Sequence, residues 1–511
     1  MEYDEIIVGA GSAGAVLAAR LSEDPDRTVL LLEAGPDYAS IEEMPDDLLK
    51  PWVSWADHDW GFEAEAAPGR TIKLHRGKVV GGSSAVNGTI ALRGVPGDFQ
   101  AWVDQGNDEW SWEKVLPAYR RLESDPEGGD FHGTNGPIPI ERPEPAEWQP
   151  IQRAFHEACL ALGYADVVDH NLPDATGVGS WPRNREHGNR VSTNMGYLVP
   201  NRGRLNLTIR AECLVNRVIV EDGVAVGVEV ESGGELQEVR GKRITLSAGA
   251  LVSPAILLRS GIGPAEKLEP HGIGQVLDLP GVGENLVDHF SVGVQAVPKE
   301  GTPHDVSVVT EVGLRYTAEG SDQFNDMQLA VSTIFDREQV RGLTDHPRRS
   351  GATFGVGAVV QRTRSRGRLT LRSADPHEQP QLDMHYATDA EDMRRLIEGA
   401  RLSWRVMHGP EMAPFVEEII APSAEVIASD ELLAEYIRAT TSTTWHVTGT
   451  CRMGPADDVL AVVDQYGQVR GIAGLHVADA SIMPDIVSCN TNLTSIMIGE
   501  RVAEWQRDGT G

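Results

Sequence analysis

Two short segments near the end of the chain carry side chains that could activate a hydroxyl group. His446 lies in the segment Trp445–Gly454, and Asn490 stands directly before an apolar, helix-like stretch. A neutral imidazole can accept a proton at physiological pH, and an amide can hydrogen-bond the same oxygen and fix its position. Asparagine also suits the N-cap of the helix that should follow. Such a pair is chemically suited to a site where a hydroxyl group loses its proton, although His446 suits a wall residue equally well by its local context.

A glycine-rich turn near the start of the chain has the form of a dinucleotide site. The motif Gly9-Ala10-Gly11-Ser12-Ala13-Gly14 lies between an apolar run and a helix-like stretch, and Glu33 ends the next apolar run. Such glycines permit a tight turn, a close approach to a pyrophosphate and close helix–strand packing. Amides at the helix start can bind the phosphates, and Glu33 can accept hydrogen bonds from a ribose. The motif predicts a site for the ADP part of a cofactor.

The motif alone does not distinguish NAD from FAD. Neither Gly261-Ile262-Gly263-Pro264 nor Gly281-Val282-Gly283-Glu284 has a third glycine at the right spacing, so each is interpreted as a turn. The four cysteines form no CxxC pair. One nucleotide site, without a nicotinamide site or a redox dithiol, favours a single FAD that the substrate reduces directly.

The composition restricts the partners and the location. The 511 residues include 45 Lys and Arg against 76 Asp and Glu, a net charge of −31, which disfavours nucleic acid or an anionic membrane as a partner. No uncharged stretch, Ile6–Ala19 included, is long enough to span a bilayer. Scattered cysteines and the absence of a signal-peptide pattern predict a cytoplasmic protein. No metal is expected, and the oligomeric state stays open.

The spacing of apolar residues predicts alternating strands and helices. Strands are predicted at 5–8, 29–32, 205–230 with a turn at 221–223, 244–248, 290–360 and 475–478. Helices are predicted at 15–21, 102–122, 152–162, 253–259, 389–407 and 493–505, and loops at 125–145 and 342–350. A glycine- and serine-rich segment, 69–93, could bring backbone amides close to a ligand.

The nucleotide segments lie at both ends of the chain, and a more polar, alternating segment lies between them. The simplest arrangement is one cofactor domain built from separate segments, with a substrate domain inserted. We therefore expect residues 1–150, 200–290 and 435–511 to form an FAD-binding domain. Residues 151–199 and 291–434 are expected to form a substrate-binding domain.

The chain resembles the glucose-methanol-choline (GMC) oxidoreductase family over nearly its whole length. The resemblance rests on the glycine-rich start, on residues 77–88 and 249–263, and on the segments around His446 and Asn490. It implies an α/β fold with a doubly wound FAD-binding domain beside a substrate domain built on an antiparallel sheet. It also implies oxidation of a primary alcohol to an aldehyde by hydride transfer to flavin. His446 would be the base and Asn490 the second catalytic residue, with oxygen or a redox carrier as electron acceptor.

The same resemblance assigns further roles. Trp445 would form a wall of the substrate pocket, because a Trp-His pair is similar to that of bacterial oxidases of aryl and furfuryl alcohols. The residues expected to bind FAD are Gly9, Gly11, Ser12, Ala13, Gly14, Glu33 and Ala34 around the ADP part; Gly82, Ser83, Asn87, Gly88 and Thr89 along the pyrophosphate and flavin ring; Val215 and Ala248 beside the adenine; Asp479 and Ala480 near the ribityl chain or phosphates; and Thr491.

One residue departs from a pattern found in some family members. Those members bind FAD covalently through a histidine at the position of Val86, and valine cannot form such a bond. We therefore expect noncovalent FAD. Two alternatives stay open, namely a choline-dehydrogenase-like enzyme with an acceptor other than oxygen and a hydroxynitrile lyase-type member with redox-silent FAD. The sequence identifies neither the alcohol nor the acceptor.

Overall fold

A computed structural model describes residues 2–50, 57–303, 305, 310–332, 334–336 and 351–510. Its α-helices are α1 (Gly14–Leu21), α2 (Asp46–Leu49), α3 (Pro96–Asp104), α4 (Trp112–Leu122), α5 (Pro150–Ala161), α6 (Ser253–Arg259), α7 (Ala265–Leu268), α8 (Ala390–Met407), α9 (Ala424–Ala428), α10 (Asp430–Thr440) and α11 (Thr491–Asp508). Its strands are β1 (Glu2–Val8), β2 (Val29–Leu32), β3 (Phe62–Ala67), β4 (Arg70–Leu74), β5 (Glu123–Ser124), β6 (Ile138–Pro139), β7 (Gly177–Ser180), β8 (Arg185–Glu186), β9 (Asn189–Arg190), β10 (Leu207–Arg210), β11 (Cys213–Glu221), β12 (Val224–Ser232), β13 (Glu235–Leu246), β14 (Phe290–Pro298), β15 (Val312–Tyr316), β16 (Met327–Val331), β17 (Phe335–Asp336), β18 (Ala352–Val360), β19 (Arg368–Thr370), β20 (Gln381–Asp383), β21 (Val416–Ala421), β22 (Ser442–Thr443) and β23 (Leu475–Val477).

A seven-stranded sheet carries the glycine-rich turn. Its parallel part has the order β10–β2–β1–β13, with β23 also parallel to β13, and β12 and β11 extend it as an antiparallel pair. Every residue of β2 is buried, as expected for a parallel strand covered on both faces. Val8 is in register with both Leu32 and Leu246. The chain therefore leaves three neighbouring strands at the same edge of the sheet.

An antiparallel sheet of eight strands forms the second layer. Its order is β21–β14–β18–β16–β15–β7, with β17 beside β18 and β22 beside β14. Buried and half-buried residues alternate along β14, which is typical of a strand with different environments on its two faces. The amphipathic helix α8 packs against β14, β16 and β18. One face of this sheet is thus covered by α8, and the other is left to face the parallel sheet.

A four-stranded sheet, β19–β20–β3–β4, connects distant parts of the chain. Its strands β3 and β4 belong to the segment predicted to bind FAD, and β19 and β20 to the segment predicted to bind substrate. Strand β22 also pairs with β14 across that boundary. Shared sheets therefore join the two predicted segments.

Most predicted elements are confirmed within the described residues. Helix α6 has the predicted bounds, and the hairpin β11–β12 turns at Asp222 and Gly223, both with positive φ. Helix α11 is longer than predicted, and the predicted loop at 125–145 contains the two-residue strand β6, which pairs with β5. The loop predicted at 342–350 lies outside the described residues. No helix that the structure describes is both long and apolar enough to cross a bilayer.

The single helix predicted for 102–122 is wrong, because the chain forms α3 and α4 with a turn between them. Gly106 has φ 87°, the left-handed conformation that commonly ends a helix at this position after its C-cap. The next residue, Asn107, is buried and its Nδ2 donates to the Trp102 carbonyl oxygen at 3.2 Å. Capping by these two residues overrides the apolar periodicity.

Candidate active site

A cavity of about 1160 Å³ lies at the carboxyl edge of the parallel strands. Residues that follow β1, β2, β13 and β23 line one end, and residues of β14 and β16 line the other. Ligands of parallel α/β sheets bind at this edge, because the loops and helix starts there present free backbone amides. The cavity therefore spans the nucleotide motif and the inner face of the antiparallel sheet.

Close backbone packing surrounds the nucleotide motif. A Cβ atom on Gly14 would overlap the carbonyl oxygen of Gly9, so α1 can approach β1 only because residue 14 is glycine. Gly82 has φ 50°, and a Cβ atom there would lie 2.6 Å from the Cα of Gly11. The motif and the segment 77–88 thus form one continuous backbone surface.

Glu33 shapes the same surface. Its Oε2 accepts a hydrogen bond from the Ala10 amide, and its Oε1 accepts one from the Gly35 amide, each at 2.9 Å. Burial raises the pKa of Glu33 to about 7, although these amide bonds act in the opposite direction. The carboxyl group lines the cavity while it also holds two loops together.

Asp479 connects the residues after β23 to the stretch between β13 and α6. Its Oδ2 accepts from the Gly249 amide at 2.8 Å and the Ser253 hydroxyl at 2.6 Å, and its Oδ1 accepts from the Ser481 amide at 2.7 Å. Burial raises the pKa of this carboxyl group. Asp479 therefore fixes the ends of β13 and β23 relative to the start of α6.

The starts of α1 and α11 meet at the cavity. Ser12 Oγ donates to Asn492 Oδ1 at 2.8 Å, which leaves Asn492 Nδ2 buried without a partner among the described residues. Two helix N-termini favour negative charge, and an unpaired buried amide donor requires an acceptor. Together with the close glycine packing, these features fit the phosphates and polar ring edge of FAD.

The cavity brings most of the predicted cofactor residues together. It is lined by Gly9, Gly11, Ser12, Ala13, Glu33, Ala34, Gly82, Ser83, Asn87, Gly88, Val215, Ala248, Asp479, Ala480 and Thr491. Gly14 and Thr89 are not among the lining residues. Gly14 packs against Gly9, and Thr89 is fully buried with its Oγ1 accepting from Arg183 Nη1 at 3.2 Å. Gly14 and Thr89 therefore lie outside the cavity, next to residues that line it.

The loop that carries His446 is held by a buried carboxylate. The His446 amide donates to Asp288 Oδ1 at 2.8 Å, and the hydroxyls of Tyr386 and Thr443 both donate to Asp288 Oδ2 at 2.5 Å. Trp445 has φ 64°, an uncommon conformation for a large residue, and its amide donates to Thr443 Oγ1 at 2.7 Å. Trp445 and His446 both line the cavity, and the Trp445 side chain is 39% exposed.

Both ring nitrogens of His446 have polar neighbours. Nε2 lies 3.1 Å from Asn490 Nδ2, whereas Nδ1 lies 3.0 Å from both Thr444 Oγ1 and His289 Nδ1. Asn490 occupies the N-cap position of α11, as predicted, but its side chain makes no capping hydrogen bond. The amide is directed to His446 instead, and its Oδ1 is buried without a partner among the described residues.

The surrounding groups determine which nitrogen of His446 carries the hydrogen. His289 Nε2 lies 2.9 Å from the Val487 carbonyl oxygen, which can only accept, so this nitrogen is the donor. Burial lowers the pKa of His289 to about 4, so the ring is neutral and its Nδ1 holds a lone pair. The Thr444 hydroxyl donates to the His289 carbonyl at 3.0 Å, so its oxygen is also free to accept. The hydrogen of His446 therefore sits on Nδ1, and Nε2 keeps its lone pair.

The electrostatic environment keeps His446 neutral. Enclosure in the cavity lowers the pKa of His446 well below its usual value, and the nearby His289 and Arg76 act in the same direction. A neutral imidazole with a lone pair on Nε2, next to the Asn490 amide, is equipped to accept a proton at physiological pH.

The sequence analysis missed the residues that support His446. Asp288 and His289 follow a glycine-containing turn and directly precede the alternating strand β14. Polar residues at such a strand start were the available signal, but their contact with His446 is tertiary. Arg76, to which no role was assigned, also lines the cavity.

A separate buried cluster contains Glu123, Asp125 and His132, whose ligand atoms lie within 4.8 Å of one another. Arg93 lies 3.3 Å from Glu123, and Arg142 lies 2.8 Å from Asp125. Burial opposes protonation of His132, but hydrogen bonds to Asp125 and neighbouring carboxylates outweigh it and raise its pKa to about 10. The cluster thus balances its own charges, and a protonated imidazole cannot ligate a metal.

Comparison with known proteins supports the interpretation of this cavity. Residues 3–291 match the family model of the N-terminal part of GMC oxidoreductases, and residues 363–499 match that of the C-terminal part. The chain belongs to the GMC oxidoreductase family. FAD binding is characteristic of this family, and the cavity fits the cofactor as described above.

Several GMC relatives are similar over their whole length. An uncharacterised GMC-type oxidoreductase from Rhodococcus erythropolis is 34% identical, covering 98% of this chain and 97% of that one. An oxygen-dependent choline dehydrogenase from Escherichia coli is 37% identical, covering 99% and 96%. The crystal structure of pyridoxine 4-oxidase from Mesorbium loti superimposes with a TM-score of 0.90 at 32% identity, covering 98% and 99%.

Proposed function

We propose that this FAD-dependent oxidoreductase converts a primary alcohol to an aldehyde, with His446 as the base. The observation that carries the proposal is the contact between His446 Nε2 and Asn490 Nδ2, 3.1 Å apart at the wall of a cavity that fits FAD. Family membership supports the reaction class, oxidation of a CH–OH group.

His446 and Asn490 would make two different hydrogen bonds with the alcohol hydroxyl group. The hydroxyl would donate its proton to His446 Nε2 and accept a hydrogen bond from Asn490 Nδ2, which replaces the direct contact between them. FAD, when bound, supplies the acceptor for the hydride that leaves the carbinol carbon. His289 and Thr444 retain the hydrogen on His446 Nδ1, so Nε2 is the nitrogen that gains the proton.

The lining of the cavity also favours an uncharged aromatic alcohol as substrate. Its wall on the antiparallel sheet includes Gly293, Gln295, Gln328, Ala330 and Gln361, none of which is charged. This uncharged wall supports an alcohol of the aryl or furfuryl kind. Trp60, Tyr436 and Trp445 add aromatic surface elsewhere in the cavity, which an aromatic ring could contact. The related pyridoxine 4-oxidase, named for a ring-bearing alcohol, is consistent with this.

We also propose that the two ends of the cavity serve different ligands. Residues 1–150, 200–290 and 435–511 would bind FAD, and residues 151–199 and 291–434 would bind the alcohol. The lining supports this division, because the glycine-rich segments lie at one end and residues of β14 and β16 at the other.

Anaerobic mixing with alcohols tests the proposed reaction. A benzyl or furfuryl alcohol should bleach the oxidised flavin in a single turnover without oxygen. A hydroxynitrile lyase-type enzyme would cleave its substrate with no flavin reduction, so an unbleached flavin with every alcohol tried contradicts the proposal. Re-oxidation by oxygen and by a dye, compared afterwards, identifies the acceptor class.

A further inference from the structure

The antiparallel sheet presents a patch of small residues to the cavity. Gly293 of β14 and Ala330 of β16 both pair with Gly357 of β18, so three small residues form one row. Gly293 and Ala330 line the cavity. A Cβ atom on Gly357 would meet nothing within 4 Å. The Gln295 side chain covers part of the row, because a Cβ atom on Gly293 would lie 2.8 Å from Gln295 Nε2. The room for a planar group is therefore above Gly357.

Two glutamines stand at one side of this patch. Gln361 Nε2 donates to Gln328 Oε1 at 2.8 Å, and both residues line the cavity. Gln361 is 1% exposed, yet its Oε1 has no partner among the described residues. Gln328 Nε2 makes no hydrogen bond with the described part of the chain. The pair thus offers one acceptor and one donor that nothing in the fold uses.

The glutamine pair is close to the proposed base. Phe290 pairs with Val360 in the antiparallel register of β14 and β18, which brings His289 opposite Gln361. His289 in turn lies 3.0 Å from His446 through their Nδ1 atoms. A molecule with its carbinol group at His446 could therefore reach Gln361 with the other side of its ring.

We propose that Gln328 and Gln361 bind a ring hydroxyl of an uncharged, hydroxylated aromatic alcohol whose ring lies over Gly357. A hydroxyl group matches the pair because it donates to Gln361 Oε1 and accepts from Gln328 Nε2 at once. An unsubstituted ring would leave the buried Gln361 oxygen without a hydrogen bond, which lowers the binding affinity. This inference rests on the proposed alcohol oxidation and names its substrate class.

Substrate pairs that differ only in the hydroxyl group test the inference. Anaerobic flavin reduction is measured with 3- and 4-hydroxybenzyl alcohol and with benzyl alcohol, in the native enzyme and in Gln361→Leu. The native enzyme should reduce its flavin with one of the hydroxylated alcohols roughly tenfold more efficiently than with benzyl alcohol. Gln361→Leu should abolish that preference, so that it reduces its flavin with the hydroxylated and unsubstituted alcohols at similar efficiency. Gln381 lies on β20 and does not line the cavity, so Gln381→Leu is the matched control and should retain the preference.

Binding without turnover gives an independent readout. The dissociation constants of the hydroxybenzaldehydes and benzaldehyde are measured from the change in flavin absorbance. They should show the same roughly tenfold difference in the native enzyme and its loss in Gln361→Leu. Flavin content and melting temperature establish that each variant is folded.

A second variant addresses the patch itself. Gly357→Val should weaken reduction by the aromatic alcohols more than reduction by allyl alcohol, which has no ring. Equal efficiency with hydroxylated and unsubstituted alcohols in the native enzyme would overturn the inference, as would a preference that survives Gln361→Leu. If no alcohol reduces the flavin, the proposed reaction fails, and the aldehyde affinities still decide whether the glutamine pair binds a hydroxyl group.

Discussion

The Nδ1 atoms of His289 and His446 lie 3.0 Å apart, and only one of them carries a hydrogen. The Val487 carbonyl requires the hydrogen of His289 on Nε2, so the shared hydrogen belongs to His446. His289 is therefore a positioning residue: it does not touch the alcohol, but it selects the tautomer in which His446 can act as a base.

Replacing His289 should impair the base without removing it. We expect His289→Leu to retain FAD but to reduce its flavin with alcohol roughly tenfold more slowly, the effect of about one hydrogen bond. Rapid mixing without oxygen measures this rate. His289→Asn, whose carbonyl oxygen can accept from His446 Nδ1, should recover part of the loss. His377→Leu changes an exposed histidine and serves as control; equal losses in the Leu and Asn variants would exclude the tautomer role.

The rate of flavin reduction should depend on pH through His446. Its folded-state pKa is lowered, and only the neutral ring accepts a proton. The rate should therefore be constant above neutral pH and fall as pH drops through that lowered pKa. Rapid mixing from about pH 5 to pH 9 measures the profile. His446→Ala should bind FAD, lose about a hundredfold or more in rate and lack the acidic fall. A near-native rate in this variant would refute the mechanism.

Asn490 should matter less than His446, because it positions oxygen but takes no proton. Asn490→Ala is expected to slow flavin reduction by roughly tenfold. Asn490→Asp places a carboxylate next to His446 Nε2, which favours the protonated ring and should move the acidic fall of the rate to higher pH. An unchanged profile in Asn490→Asp would mean that the two side chains separate when substrate binds.

Sequence patterns predicted the parts of the site that are local. The glycine turn, Glu33 and the bounds of α6 follow from short motifs, because residues close in sequence determine the backbone conformation there. The support of His446 was not predicted, because Asp288 and His289 reach it only through the pairing of β14 with β22. Asn490 was predicted both to cap α11 and to act beside His446; it occupies the N-cap position, but its side chain contacts His446 and makes no capping hydrogen bond.

Cofactor attachment should be noncovalent. Val86 lines the cavity and has no atom that could bond to the flavin ring. Acid precipitation of the enzyme should therefore release yellow flavin into the supernatant. Yellow colour that remains with the precipitated protein would contradict this expectation and require a search for another attachment residue.

The ribose contact predicted for Glu33 can be tested by cofactor titration. Glu33→Ala should weaken FAD binding by about 1–3 kcal/mol, because it removes a buried hydrogen-bond acceptor. Glu33→Gln retains one acceptor oxygen for the Ala10 or Gly35 amide and should lose less. Titration of the apoprotein with FAD measures both. Glu113→Gln, on the surface of α4, is the control, and an unchanged affinity in Glu33→Ala would limit Glu33 to shaping the two loops.

The bond between Ser12 and Asn492 has a consequence for how the protein is made. These residues are 480 positions apart, yet both are needed to complete the same end of the cavity. A ribosome adds about 5–20 residues per second, so roughly 25 to 100 s separate their synthesis. The Ser12 end of the cavity is therefore complete only after residue 492 has been translated, which favours binding of flavin to the finished chain.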